Sequence, residues 1–362
     1  MKSLSCFLLL ILFSNCKENK IGYDEKDRIS TIIDSLHTEE QVENYIRNLS
    51  FSIVEYFRLQ TDNLKQDFIR NFELKKINEF DRDSRFDIDS LTKIIADSLN
   101  ITESFYKNDF DNNGFTDLLV IGDNKGCGSF SLRDKQSQRS CDFSAYCFMN
   151  YGNDSIKPFD LVIRALDNSI VPKFSKKYGQ PIIEIHEPAN YHWIKKEKVS
   201  ENKVIDLIYK FNSFLEYNKN PKNYGIEKIE FETEDCFGEC PYFKIIINND
   251  KSVTFNAISG NSIYEKTSEY GDDNLPEIKG IFKAKLNDQA YNQLISKLNY
   301  LDFPNLQDRY SDNRLHTSYC KIKITYDNKN TKSIEDYGMC GTYGLKNIYD
   351  TLFNMRFNQE WK

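Results

Sequence analysis

Apolar and polar positions largely alternate between residues 226 and 258, and this pattern predicts a meander of strands. Ile226, Ile229 and Phe231 stand among Glu227, Lys228 and Glu230, as a strand with one wet face requires. Cys236-Phe237-Gly238-Glu239-Cys240-Pro241 then breaks the pattern as a short loop, with Pro241 at a strand's first position, where its missing backbone donor is tolerated. Residues 242–247 are aromatic and β-branched, Asn248-Asn249-Asp250-Lys251 is a turn, and 252–258 returns as the next strand. Further on, the spacing predicts a strand over 278–285 and a helix over 288–299. A hairpin of 319–326 and 331–337 and a closing helix over 343–357 follow.

The first half mixes both periods. Ile29, Ile32, Ile33 and Leu36 recur at helical spacing. A second helix starts at Thr38-Glu39-Glu40-Gln41, close to a capping box, with Val42, Tyr45, Ile46 and Leu49 on one face, and Ile53, Val54 and Phe57 extend the pattern. A third follows Asp87-Ile88-Asp89-Ser90 and carries Leu91, Ile94, Ile95 and Leu99. All three stripes are expected to pack into a core. Strands are expected over 104–110, 118–121, 141–149, 159–164, 181–186 and 191–195. Residues 204–217 suit either a hairpin or a helix, and their Tyr and Phe content favours the hairpin. Asn218-Lys219-Asn220-Pro221-Lys222-Asn223 reads as a linker. The expectation is α+β, in two domains over 25–217 and 226–362, each a mainly antiparallel sheet with packed helices, joined by a linker over 218–225.

The start of the chain changes the picture. Met1-Lys2-Ser3 is short and basic, and residues 4–13 are an almost unbroken apolar run, too short for a bilayer and suited to a signal-peptide core. The run ends at Ser14-Asn15-Cys16 before a polar stretch. That placement resembles the lipobox of a bacterial lipoprotein, although Asn15 departs from the usual small residue. The resemblance implies a signal peptide over 1–15, lipid on Cys16, a tether over 16–24, and a lipid-anchored place in the bacterial envelope, at the outer membrane. A net charge of −7 over mixed-sign residues argues against nucleic acid as a partner. Aromatic residues at 14% add weight to the sheet content.

Export makes disulfides the default state of cysteine. Cys6 would leave with the signal and Cys16 would carry lipid, so seven remain: Cys127, Cys141, Cys147, Cys236, Cys240, Cys320 and Cys340. An odd number leaves at least one without a partner in the chain. Cys141 and Cys147, six apart in one extended strand, would sit about 20 Å apart, too far to bond. Cys127 then pairs with one of them, if with either. Cys236 and Cys240 suit a short-loop bridge, a redox-active pair, or half of a zinc site. No second Cys/His pair has zinc spacing.

The segment from about Ile226 onward resembles a domain family of unknown function found in bacterial secreted proteins and lipoproteins. The likeness rests on the Cys-Phe-Gly-x-Cys-Pro loop and its strands, on Leu294, Leu298 and Phe303, on Tyr310-Ser311-Asp312, and on Asp336-Tyr337. It implies a fold and an extracytoplasmic setting, and no chemistry. A Cys320–Cys340 bond is an expectation outside that resemblance.

The second motif is Asp109-Phe110-Asp111-Asn112-Asn113-Gly114-Phe115-Thr116-Asp117, with oxygen side chains at loop positions 1, 3, 5 and 9 and glycine at 6. That spacing suits calcium, but position 12 is Val120, so this is no EF-hand. A single such loop running into a strand resembles the calcium loops of FG-GAP and VCBS-type extracellular β-domains. The resemblance implies side-chain ligands at Asp109, Asp111, Asn113 and Asp117 and a backbone ligand at Phe115. The alternative is a polar hairpin turn with solvated acids.

Hydrolase templates find little support. There are only four histidines, His37, His186, His192 and His316, and no Gly-x-Ser-x-Gly elbow. His186-Glu187-Pro188-Ala189-Asn190 starts like a zincin helix but contains a breaking proline. The chain therefore reads as an envelope lipoprotein acting as a non-enzymatic binding or structural module for an unidentified envelope protein or glycan. The alternatives are an envelope thiol oxidoreductase using Cys236 and Cys240, and an unrecognised hydrolase in which His186, His192 or His316 meets a nucleophile.

Overall fold

The computed structural model describes residues 29–49, 72–80, 90–123, 143–163, 170–189, 198, 200–234, 240–262, 276–311 and 317–362. The expected leader, Cys16, Cys127, Cys141, Cys236, His192, His316 and the strand over 191–195 lie outside these residues. Among the described residues, sixteen strands and four α-helices make a mixed, mostly antiparallel architecture of three sheets. The α+β expectation is met.

The first sheet holds β1 (Glu73–Leu74), β2 (Phe105–Asn108), β3 (Asp117–Asp123), β4 (Phe143–Asn150) and β5 (Ile156–Asp160), with β3 and β4 buried along their whole length. Alternation explains that burial. Leu118 and Val120 point to one face, where they meet Ile33, Val42, Ile46 and Phe72. Leu119, Ile121, Ala145 and Cys147 point to the other. There they pack on Ile183, Ile185, Ile205 and Leu207 of a second sheet, β6 (Val171–Lys177), β7 (Gln180–Glu187), β8 (Lys203–Lys210) and β9 (Ser213–Glu216). The expected hairpin over 204–217 is β8 and β9, turned by Phe211 and Asn212, both with positive φ.

Helix α1 (Glu39–Arg47) has the expected capping box: the Gln41 N–H donates to Thr38 Oγ1 and the Thr38 N–H donates to Gln41 Oε1. Upstream, the Ile29–Leu36 stripe forms only a short 3-10 turn, Ile32–Ser35. Thr31 and Asp34 close a capping box of their own seven residues before the Thr38 box, so two start signals leave room for one turn. At helix α2 (Ser90–Ser98), Ile95 and the following Leu99 pack on the core as expected, but the helix's buried positions are Thr92, Lys93 and Ala96, and Ile94 is 60% exposed.

The third sheet has seven strands: β10 (Ile226–Glu234), β11 (Tyr242–Asn248), β12 (Ser252–Ser259), β13 (Gly280–Lys285), β14 (Arg309–Ser311), β15 (Tyr319–Tyr326) and β16 (Asn330–Tyr337). Its order is β13-β12-β11-β10-β15-β16-β14, antiparallel except where β14 runs parallel to β16. One face buries Ile229, Phe231, Phe243, Ile245, Phe255 and Ile322 against α3 (Asp288–Tyr300) and α4 (Tyr343–Asn354), which contribute Leu294, Leu298, Ile348, Tyr349 and Leu352. The opposite face is wet and carries alternating charges, with Lys321 and Arg309 both bonded to Glu335.

The stretch 218–225 fastens the two halves closely. The Asn218 N–H donates to the Tyr300 hydroxyl at 3.0 Å, its side-chain amide donates to the Tyr300 carbonyl, and the Tyr224 N–H donates to Asn299 Oδ1. Ile182, Ile208 and Leu215, on the outer face of the four-stranded sheet, pack against Tyr300 and Leu301. Glu216 reaches across to the N-terminus of α4, accepting from the Tyr343 N–H at 2.7 Å and the Gly344 N–H at 2.9 Å. Gly344 permits this approach, since a Cβ there would sit 2.0 Å from Leu301 Cδ2 and 3.1 Å from Glu216 Oε2. The Tyr343 ring lies in the core of the first half, and its hydroxyl donates to the Leu161 carbonyl.

Candidate functional site

The acidic loop closes the β2–β3 hairpin, where Asn108 registers with Asp117. Asn112 and Gly114 take positive φ, which asparagine and glycine tolerate best and which lets the chain fold back tightly. The result gathers carboxylate oxygens of Asp109, Asp111 and Asp117 within 4.8 Å of one another. Such a set costs repulsion unless protons or a cation neutralise it. Burial, with the Asp109 carboxylate beside it, pushes Asp111 up to about 6, although the Asn113 N–H works the other way. Burial pushes Asp117 up to about 8, against the N–H groups of Asn150 and Phe110 and reinforced by Asp111 and Asp109.

Each acid has a structural partner. Asp109 accepts from the backbone N–H groups of Asn113 and Gly114 at 3.0 and 2.9 Å. Asp111 accepts from the Asn113 N–H and from its side-chain amide. Asp117 accepts from the N–H of Phe110 and of Asn150, both at 2.7 Å. A carboxylate oxygen has two lone-pair sites, so these bonds leave capacity toward a cation. Of the five ligands the sequence suggests, the three carboxylates converge. Asn113 turns its Oδ1 to the Phe115 N–H and its amide to Asp111 and the Asn150 carbonyl, which makes it a brace. The Phe115 ring lies against Gly152, where an added Cβ would be 2.5 Å from its Cζ.

One residue of this site has no sequence signal. Asn150, at the end of β4, is 3% exposed and ties the loop to its surroundings. It donates its N–H to Asp117, accepts from Gly152 and Asn113, and donates its amide to Thr31 and the Thr116 carbonyl. Thr116 donates to Asp34, and the Ile29 N–H donates to the Gly114 carbonyl, so the N-terminal segment is bound to the same loop.

In the second half, Thr233 holds the start of β11, donating to the Pro241 carbonyl and accepting from the Phe243 N–H. Cys240 Sγ lies 3.5 Å from Ser318 Oγ. The expected Cys320–Cys340 bond is not formed: both are buried thiols. Cys320 registers with Asp336 across the hairpin, and the Asp336 carboxylate instead engages the turn, accepting from the N–H of Cys340 and of Gly341. The Tyr349 hydroxyl approaches Asp336 and Cys320 without completing a hydrogen bond to either. Burial first, then Asp336, pushes the Cys320 thiol up. Cys147 is also a buried thiol, raised by burial and by Asp117.

His186 does not meet a nucleophile among the described residues. Its Nε2 faces Glu184 at 3.2 Å, and burial holds it below the ordinary histidine value. Glu184 is also paired with Lys177, which bonds Asp206 as well.

Residues 227–356 match a family described as a domain of unknown function (DUF6438). No curated protein and no solved structure matches the chain.

Proposed function

We propose that this chain is a bacterial envelope lipoprotein, anchored through lipid on Cys16, that serves as a non-enzymatic binding or structural module whose first half is fastened by calcium. The partner would be an envelope protein or glycan. The observation that carries the calcium reading is the convergence of Asp109, Asp111 and Asp117 within 4.8 Å, two of them pushed up by burial and mutual repulsion. The donor set is all oxygen, which suits a hard cation. Those three residues would hold the ion, with Asn113, Phe115 and Asn150 bracing them. A bound divalent ion supplies the charge that lets the carboxylates stay ionised. The surrounding residues fix the β2–β3 turn, the end of β4 and the segment from Ile29 to Asp34 around it.

Thermal melts of the full chain in calcium and in chelator test this. A rise of several degrees with calcium, lost in Asp109→Asn and Asp111→Asn, supports the reading, and identical melts remove it. The anchor is tested by labelling cells with an alkyne fatty acid, where Cys16→Ala must abolish incorporation.

Cys236 and Cys240 are read here as a structural bridge over the loop that opens β11. Oxidation after export favours a bridge over a zinc pair, and Thr233 already holds the strand behind the loop. The oxidoreductase reading survives only if a mixed disulfide can be trapped on Cys236 with a thiol substrate.

A further inference from the structure

Arg356 follows α4 and is 5% exposed, yet among the described residues no carboxylate faces it. Its guanidinium carbon sits 4.0 Å from the Phe353 ring centre, 4.6 Å from that of Phe357 and 4.9 Å from that of Phe243. Nε donates to the Phe353 carbonyl at 3.1 Å. The two amino groups make no protein hydrogen bond among the described residues, and neither is sealed from solvent. Desolvation by burial pushes the group down to about 9.

The balance of forces leaves room for a counter-ion. Withdrawing a cation from water is costly. The rings and the helix C-terminus return part of that cost. These terms hold the side chain in place without neutralising it. With Nε engaged by a backbone carbonyl, the free edge of the fork presents paired N–H groups. That geometry matches two oxygens of one anion. The aromatic frame fixes the plane of the fork in advance and lowers the cost of ordering it on binding.

We propose that Arg356, framed by Phe243, Phe353 and Phe357, is a binding point for an oxyanion, a carboxylate or a phosphate group, on the seven-stranded-sheet half of the protein. The inference names a ligand class for the binding role and depends on neither the calcium loop nor the lipid anchor. Trp361 gives a built-in reporter, because its indole N–H donates to the Arg356 carbonyl at 3.0 Å and its ring packs on Phe255.

The test uses the full chain carrying Trp193→Phe, so that Trp361 is the sole indole. Inorganic phosphate and acetate are titrated separately at pH 7, with chloride holding ionic strength constant. The expected result is a saturable change in emission with at least one of the two, at millimolar concentration. Arg356→Lys should weaken it at least ~10-fold, since a point charge replaces the fork, and Arg356→Met should abolish it. Saturation by phosphate alone or by acetate alone identifies the source of the oxygens. No saturable response to either anion, or an equal response in Arg356→Lys, overturns the proposal. The lysine variant keeps the charge, so the comparison holds even where Arg356→Met does not fold.

Discussion

Replacing Tyr343 by alanine should uncouple the two halves of this chain. Tyr343 is the second residue of the Thr342-Tyr343-Gly344 start of α4, a helix whose Leu345, Ile348, Tyr349 and Leu352 belong to the seven-stranded-sheet core. Its ring, however, is 5% exposed among the residues of the first two sheets, and its hydroxyl donates to the Leu161 carbonyl at 2.7 Å. Truncating a buried aromatic costs about 3–5 kcal/mol. Leaving the Leu161 carbonyl without a donor adds about 1–3 kcal/mol where no water replaces the hydroxyl. Tyr343→Phe isolates that second contribution. The assay is urea unfolding followed by Trp361 emission in Trp193→Phe and by far-ultraviolet circular dichroism. The parent should unfold in one coincident transition. A loss of about 4 kcal/mol with a slope of about 3 kcal/mol per molar urea moves the midpoint by roughly 1.3 M. In Tyr343→Ala the two probes should also separate, as the halves lose their anchor. A midpoint shift below about 0.3 M, or a parent whose probes already disagree, would refute the reasoning.

Three further outcomes are expected. Gly152→Ala forces a side chain into φ +77° and against the Phe115 ring, so calcium should raise the melting temperature less in this variant than in the parent. Burial pushes Lys297 down from 10.5 to about 8. A depressed folded value means that stability is greatest above the unfolded value of 10.5 and is lost as pH falls toward 8, about 3 kcal/mol in all. Lys297→Met should flatten stability between pH 8 and 10.5 and raise it at pH 7, less the bond to Thr351. Finally, Cys147, Cys320 and Cys340 should resist alkylation in the native protein and all take adducts in urea without reductant. Failure of Cys320 and Cys340 to react in urea would reinstate the bond between them.

The elements that the sequence revealed were those built from local alternation. The strands of the second half other than β14, the β8–β9 hairpin and the last two helices are legible because every second or every third-to-fourth position is apolar. The three converging acids were legible from loop spacing alone. Asn150 was not, because its role is tertiary: it lies 33 residues beyond Asp117 and nothing in the Phe148-Met149-Asn150 stretch marks it. β14 is three residues long and pairs in parallel, too short for any period to register. The Ile29–Leu36 stripe misled because periodicity records spacing and not the start signals that cut a helix short. Cys320 and Cys340 flank the right hairpin for a bridge. Sequence could not show that the Asp336 carboxylate holds the turn to which Cys340 belongs.

The four-stranded sheet has a practical consequence for anyone cutting this chain into pieces. Both of its sides are roofed, one by the first sheet and the other by Tyr300 and Leu301. A fragment ending near residue 217 would bare Ile182, Ile208 and Leu215 to water and leave Glu216 without the helix end it serves. Such a piece should aggregate on expression, whereas the uncut polypeptide supplies its own cover. The matched stretch 227–356, expressed alone, would in turn leave the Tyr343 ring stranded outside the core it fills.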